Sequence, residues 1–268
     1  MNDVFSQMLA AHTMPGEDGK RNALYEVMQQ VALAGLARGG FFQEAAFYGG
    51  TCLRLFHGLK RYSEDMDFSL IKKNPDFQFE KYFPAIIEEA RLLGREVTIT
   101  KKDKRNFGCV ESAFLKDTTD VYNIHFQTER SLRIKIEVDT NPPLSFVTEQ
   151  RLMVQPYSFM VQCMTLPCLF AGKMHALVYR QWKNRVKGRD WYDFEWYVRW
   201  NHPLNWAHLH ERIVEFSGKE CTKAEFLELL HHRLATTDIN QVKADVLPFV
   251  HHPQELDIWP NVYFLHLA

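Results

Sequence analysis

Gly49-Gly50-Thr51-Cys52-Leu53-Arg54-Leu55-Phe56-His57-Gly58, followed by Arg61-Tyr62-Ser63-Glu64-Asp65-Met66-Asp67-Phe68, joins a glycine turn at the start of a short helix to alternating carboxylates. Side chains of a strand repeat every second residue, so Asp65 and Asp67 point one way while Met66 and Phe68 point into a core. Two carboxylates on one edge suit Mg2+, which prefers oxygen ligands and completes its shell with water and substrate phosphates. Gly49 and Gly50 lack Cβ atoms and let backbone amides approach an anion, and Thr51 is a suitable N-cap for a helix ending near Gly58. Ser63 precedes Asp65 by two residues on the same face. Its hydroxyl either caps the turn or lies at the nucleotide, placed to receive a phosphoryl or nucleotidyl group. The segment reads as a phosphate seat beside a metal seat.

Working outward, Arg133-Ile134-Lys135-Ile136-Glu137-Val138-Asp139 alternates a charged face with an apolar one. The charged face is either an exposed sheet surface or the source of a third carboxylate, Glu137 or else Asp139, beside Asp65 and Asp67. Three carboxylates around divalent metals can activate a hydroxyl and neutralise a leaving pyrophosphate. On a helix spanning 166–182, positions 166, 169, 170, 173, 176, 177 and 180 form one stripe, which Lys173 and Arg180 interrupt. A buried ammonium is costly without an anion, so Lys173 either snorkels to the rim or meets a triphosphate. In Gly188-Arg189-Asp190-Trp191-Tyr192-Asp193-Phe194, Asp190 either caps the following helix or closes with Arg189 over the nucleotide, while Trp191 and Phe194 pack.

Hydrophobic residues at 46% and charged residues at 24% of 268 describe ordinary globular material, enough for one large or two modest domains. A net charge of −1 exerts no global pull toward nucleic acid and leaves only local basic patches, at 101–105 and at 180–189. Five scattered cysteines without a Cys-x-x-Cys pair read as reduced thiols of a cytoplasmic protein. The start of the chain lacks a secretory pattern, and the longest apolar helical stretch is too short for a bilayer, so no membrane role is expected. His231-His232 and His251-His252 lack partners at zinc spacing and read as ordinary histidines.

Periodicity predicts a helix over 22–37, strands at 45–48 and 66–70, a helix over 79–94, and strands at 97–100, 109–115, 121–126, 132–139 and 159–164. Thr165 and Pro167 then announce a C-terminal part that is almost wholly helical. The expected organisation is an α+β domain over 1–164 and a helical domain over 165–268.

Taken together, Gly49-Gly50-Thr51, Arg61-x-Ser63-Glu64-Asp65-x-Asp67-Phe68, Lys135-x-Glu137, Lys173 with Ala176-Leu177, and Gly188-Arg189-Asp190-x-Tyr192-Asp193 resemble the AbiEii/AbiGii toxin-type nucleotidyltransferases. The resemblance implies a polymerase-beta-like nucleotidyltransferase fold, a mixed sheet with helices, followed by a C-terminal helical bundle. It also implies use of an NTP with Mg2+ or Mn2+, a toxin role in a toxin-antitoxin or abortive-infection system, and a separate antitoxin as partner. Relatives that add nucleotides to the 3′ end of tRNA make tRNA a plausible acceptor. By matching position, Asp65 and Asp67 would bind metal, Gly50, Thr51 and Lys173 would hold the triphosphate, and Asp190 with Arg189 would complete the site. Two other readings compete: a nucleotide-binding regulatory or partner-binding protein without turnover, and a nucleotide-sugar glycosyltransferase using Asp-x-Asp with Mn2+, which assigns nothing to Lys173 or Gly188-Arg189-Asp190. P-loop, dinucleotide-fold and serine-hydrolase signatures are absent.

Overall fold

The computed structural model describes residues 3–12, 16–102, 119–126, 132–180 and 186–268. The predicted strand at 109–115, Cys109, the later residues of the first basic patch and Lys183 and Arg185 of the second lie outside these. The chain divides into two units. One comprises Met1–Gly58, Tyr62–Pro142 and Thr148–Met164, and the other Leu59–Arg61, Pro143–Val147 and Thr165–Ala268.

In the first unit, β1 (Ala45–Tyr48), β2 (Met66–Leu70), β3 (Val97–Lys101), β4 (Thr119–Phe126), β5 (Leu132–Asp139), β6 (Thr148–Met153) and β7 (Phe159–Met164) form one sheet among the described residues, ordered β3-β4-β5-β2-β1-β7-β6. The sheet is mixed: β2 runs antiparallel to β1 and parallel to β5, whereas β1 and β7 are parallel. The alternation expected of β5 is realised, with Ile134, Ile136 and Val138 fully buried beneath the charged face. Phe41, Phe47 and Phe68 stack or meet edge to face, with ring centres 5.0 Å apart for Phe41–Phe68 and for Phe47–Phe68, and so anchor β1 and β2 to the core.

The helices of this unit are α1 (Val4–Ala10), α2 (Gly16–Arg38), α3 (Gly49–His57) and α4 (Phe83–Leu92). Helix α2 begins six residues before the expected start at 22. It is buried nearly all round from Asn22 to Leu36, where it meets α1, α4, β5 and β7, whereas Gly16, Glu17 and Asp18 of its first turn are exposed. A Cβ on Gly35 of α2 would lie 2.6 Å from the Ile86 Cα of α4, so glycine is what lets the two helices approach. Gly35→Ala is expected to lower stability by roughly 1–3 kcal/mol, the usual cost of overpacking. A denaturant titration with an unchanged midpoint would contradict that close fit.

The second unit is helical among its described residues: α5 (Leu166–Tyr179), α6 (Gly188–Arg199), α7 (Trp206–Ser217), α8 (Lys223–Thr236), α9 (Ile239–Val246) and α10 (Asn261–Leu267). Helix α5 packs on α6, α7 and α8, while α6 also meets α9 and α10. Helix α5 ends at Tyr179, short of the expected end at 182, and Arg180, the last residue of the expected stripe, is its C-cap in extended conformation. Trp191 and Phe194 are buried, and Phe170 of α5 stacks on Tyr197 of α6 with ring centres 4.1 Å apart. Glu211 of α7 takes hydrogen bonds from the backbone amides of Leu144 (3.1 Å) and Ser145 (2.8 Å) and from the Ser145 hydroxyl, which fixes the 143–147 segment to the helices.

Candidate active site

Strand β1 runs directly into α3, and this junction sets the geometry of the first unit. Tyr48, the N-cap residue, is extended and makes no side-chain cap bond. Gly49 follows at φ +82°, and a Cβ there would stand 2.1 Å from Asp67 Oδ2. The chain turns from strand to helix against the carboxylate itself, because Tyr48 and Asp67 are register partners. Gly49→Ala therefore combines a left-handed backbone with a collision. The substitution is expected to displace the Asp67 carboxylate and cost at least about 1 kcal/mol of stability, with a larger loss of turnover. Thermal unfolding and a transfer assay on the same preparation separate the two effects.

Thr51 is not the N-cap. The helix begins two residues earlier, and the buried Thr51 hydroxyl donates instead to the Asp65 backbone carbonyl, tying α3 to the approach of β2. Gly50 lies in the first turn of α3, where amides lack intrahelical acceptors and the helix dipole favours an anion. Ser63 and Glu64 present their carbonyls to the Gln29 side-chain amide of α2, at 2.9 and 3.0 Å. Among the described residues no hydrogen bond from the Ser63 hydroxyl is present, so the turn-capping alternative is not what the backbone uses there.

Register now distinguishes the two later carboxylates. Asp67 of β2 pairs with Glu137 of parallel β5, whereas Asp139 lies beside Ser69 and accepts a hydrogen bond from the Asn141 amide at 3.0 Å. Glu137 is thus the acidic side chain level with Asp67. Its carboxylate forms an ion pair with Lys135. Burial works against the Lys135 ammonium, but the charges of Glu137, Asp65 and Asp67 outweigh it and raise its pKa. Among the described residues no three histidine, cysteine or acidic side chains surround a space that could hold a metal ion. The Lys135 ammonium, engaged by Glu137, neutralises part of this acidic face.

In the second unit, Lys173 neither snorkels nor stands alone. Its ammonium is 2.6 Å from Asp193 Oδ2, and the Arg61 guanidinium grips the same carboxylate twice, Nε to Oδ1 and Nη2 to Oδ2, each at 2.6 Å. Asp193 and Arg61 are fully enclosed. Burial alone would raise the Asp193 carboxyl, but Arg61 and then Lys173 prevail and hold it at about 2. Asp190 does not cap α6 with its side chain. It sits at the third helical position and pairs with Arg180 at 3.1 Å. Arg189 is buried with its guanidinium 4.2 Å from the centre of the Phe249 ring. The sequence motif contained Arg61 without giving it a task, because its partner lies 132 residues away along the chain.

Cys52, Cys163, Cys168 and Cys221 are buried free thiols. No helix of the described residues is long and apolar enough to cross a membrane.

The mixed sheet thus carries a glycine-led helix that starts against the Asp67 carboxylate, and sequence comparison supplies the class of this framework, a nucleotidyltransferase. Residues 31–260 match the family described as nucleotidyl transferase AbiEii toxin, Type IV TA system, and the chain belongs to that family. It is a nucleotidyltransferase of the toxin type, which sets aside the regulatory and glycosyltransferase readings. Its fold is similar to that of JHP933 from Helicobacter pylori, with 16% identity and a TM-score of 0.54 over 92% of this chain and 88% of that one. It is similar in the same sense to MenT4, the nucleotidyltransferase toxin Rv2826c of Mycobacterium tuberculosis H37Rv, with 15% identity and a TM-score of 0.54 over 97% and 98% of the two chains. At such identities the likeness concerns the fold alone. No curated protein sequence matches the chain closely enough to count as a relative.

Proposed function

We propose that the protein transfers NMP from an NTP to a hydroxyl acceptor, the 3′ end of tRNA being the acceptor class to test first, in a reaction that needs Mg2+ or Mn2+. The observation that carries this reading is the contact of Gly49 with Asp67, which sets the amides of a helix start beside a carboxylate on the neighbouring strand. Asp65 and Asp67 are oxygen donors of the kind Mg2+ takes, and two carboxylates with water and substrate phosphates complete such a shell, so the donor set fits even with Glu137 held by Lys135. When bound, the ion supplies charge neutralisation for the triphosphate and lowers the pKa of the acceptor hydroxyl.

The remaining work belongs to the chain. In this proposal phosphate oxygens meet the amides of the first turn of α3, which Gly49 and the buried Gly50 begin, and Lys135 keeps Glu137 from adding an uncompensated charge next to a polyanionic substrate. The acceptor oxygen bonds to the α-phosphorus, the bond to pyrophosphate breaks, and the hydroxyl proton passes to a carboxylate of this face. Lys173, Arg189 and Asp190 are the nucleotide-side candidates that the helical unit contributes in this proposal. Ser63 stands beside the nucleotide, its hydroxyl turned to no backbone group. The proposed setting is the bacterial cytoplasm, with a cognate antitoxin as protein partner.

The test incubates the protein and Mg2+ with each of the four labelled NTPs and, separately, total tRNA, protein and small hydroxyl compounds. Label at the tRNA 3′ end supports the acceptor assignment. Label confined to another acceptor overturns that assignment while keeping the transfer chemistry.

A further inference from the structure

Resting on the reading of Asp65 and Asp67 as the metal-side carboxylates, we propose that Gln29 of α2 is a positioning residue for that pair. Pairing of β2 with its neighbours begins at Met66 and Asp67, so the carbonyls of residues 63, 64 and 65 lie ahead of the sheet. All three are nevertheless held, and by side chains. The Gln29 amide donates to Ser63 O at 2.9 Å and to Glu64 O at 3.0 Å, and the Thr51 hydroxyl donates to Asp65 O. Three successive peptide units are thus fixed from two different helices immediately before the carboxylates.

Gln29 is only 1% exposed, between Met28 and a run of fully buried apolar residues from Val31 to Ala34. A primary amide in such surroundings is costly unless its protons are used. Here both serve neighbouring carbonyls, which a serine, with one donor, or an apolar residue at this position cannot reproduce. The amide acts on no reacting atom. It fixes the backbone from which the Asp65 side chain projects, and misplacement of a catalytic group by about 1 Å costs on the order of a hundredfold in rate.

The experiment compares the full-length wild type with Gln29→Leu, Leu33→Ala and Asp67→Asn. Leu33→Ala removes a fully buried side chain from the same helix and serves as a control for lost stability. Mn2+ binding is read by electron paramagnetic resonance without substrate, nucleotidyl transfer by label incorporation, and folding by thermal unfolding. Gln29→Leu is expected to weaken Mn2+ binding about tenfold and to lower kcat about a hundredfold, with KM for NTP within about threefold of the wild type. Leu33→Ala is expected to melt earlier but to bind Mn2+ as the wild type does.

Wild-type Mn2+ affinity and rate in a folded Gln29→Leu protein would overturn the proposal. Equal loss of Mn2+ affinity in Leu33→Ala would do so too, because the effect would then be one of general loosening. Should Gln29→Leu not fold, Gln29→Met, whose linear side chain adapts to the cavity, takes its place under the same criteria. Asp67→Asn separates the two levels: if it binds Mn2+ and transfers normally, the carboxylate assignment itself fails and the positioning role goes with it.

Discussion

Asp67→Ala is expected to lower nucleotidyl transfer at least about a thousandfold, equivalent to about 4 kcal/mol of transition-state stabilisation, while leaving the protein folded. The separation follows from where Asp67 stands. Its backbone is locked between Tyr48 on one side and Glu137 on the other, and those ladder bonds do not depend on the side chain. Its carboxylate lies on a face already crowded by Asp65 and Glu137, and all three raise the pKa of Lys135. Removing that charge relieves repulsion from Asp65 and Glu137 but gives up its attraction to Lys135, so thermal unfolding should change little. Activity lost together with a large drop in melting temperature would mean that Asp67 holds the junction together rather than serving the chemistry. Activity retained would place the metal elsewhere.

Asp193→Asn is expected to destabilise the protein by about 3–5 kcal/mol, because the buried Arg61 and the half-buried Lys173 would lose their shared counter-charge. That is a large share of the roughly 5–15 kcal/mol that keeps a typical domain folded. Acidity gives the same interaction a second signature. The folded-state pKa of Asp193, about 2, lies below the usual value for a carboxyl. Its contribution is therefore complete above about pH 4 and is lost as pH falls through about 2. The stability gap between wild type and Asp193→Asn, measured by denaturant titration, should be wide at pH 7 and narrow in strong acid. A gap that does not depend on pH would assign the loss to altered packing.

Local pattern carried much of the fold. The spans of β1, β2, β5 and β7 coincide with the runs of alternating or apolar residues that announce them, β5 burying alternate side chains over most of its length and β1 and β2 burying most of theirs. Strand β6 was missed for a physical reason: Thr148-Glu149-Gln150-Arg151 shows no apolar alternation, and as an edge strand it owes its conformation to pairing with β7. The first turn of α2 escapes the apolar repeat because Gly16-Glu17-Asp18 is exposed and contributes no buried side chain, although acidic residues suit a helix start.

Within the site, the residue types were legible while their partnerships were not. Periodicity put Asp65 with Asp67 and Lys135 with Glu137, since both pairs follow the two-residue repeat. It could not choose between Glu137 and Asp139, because that choice depends on how β5 is aligned with β2. Nor could it assign Arg180 to Asp190 or Arg61 to Asp193, which are contacts of tertiary structure. Gln29 left no signal at all, being one polar residue in a helix with many.

The helical unit owns two short pieces of chain that precede it, residues 59–61 and 143–147. A fragment comprising only 165–268 would retain Asp193 but not the guanidinium of Arg61, and Glu211 but not the amides of Leu144 and Ser145. The C-terminal half is accordingly no portable module. Gene fusions, split-protein reporters or exchanges between relatives that cut once at residue 164 would sever its internal wiring, whereas swaps that carry all three pieces together preserve it.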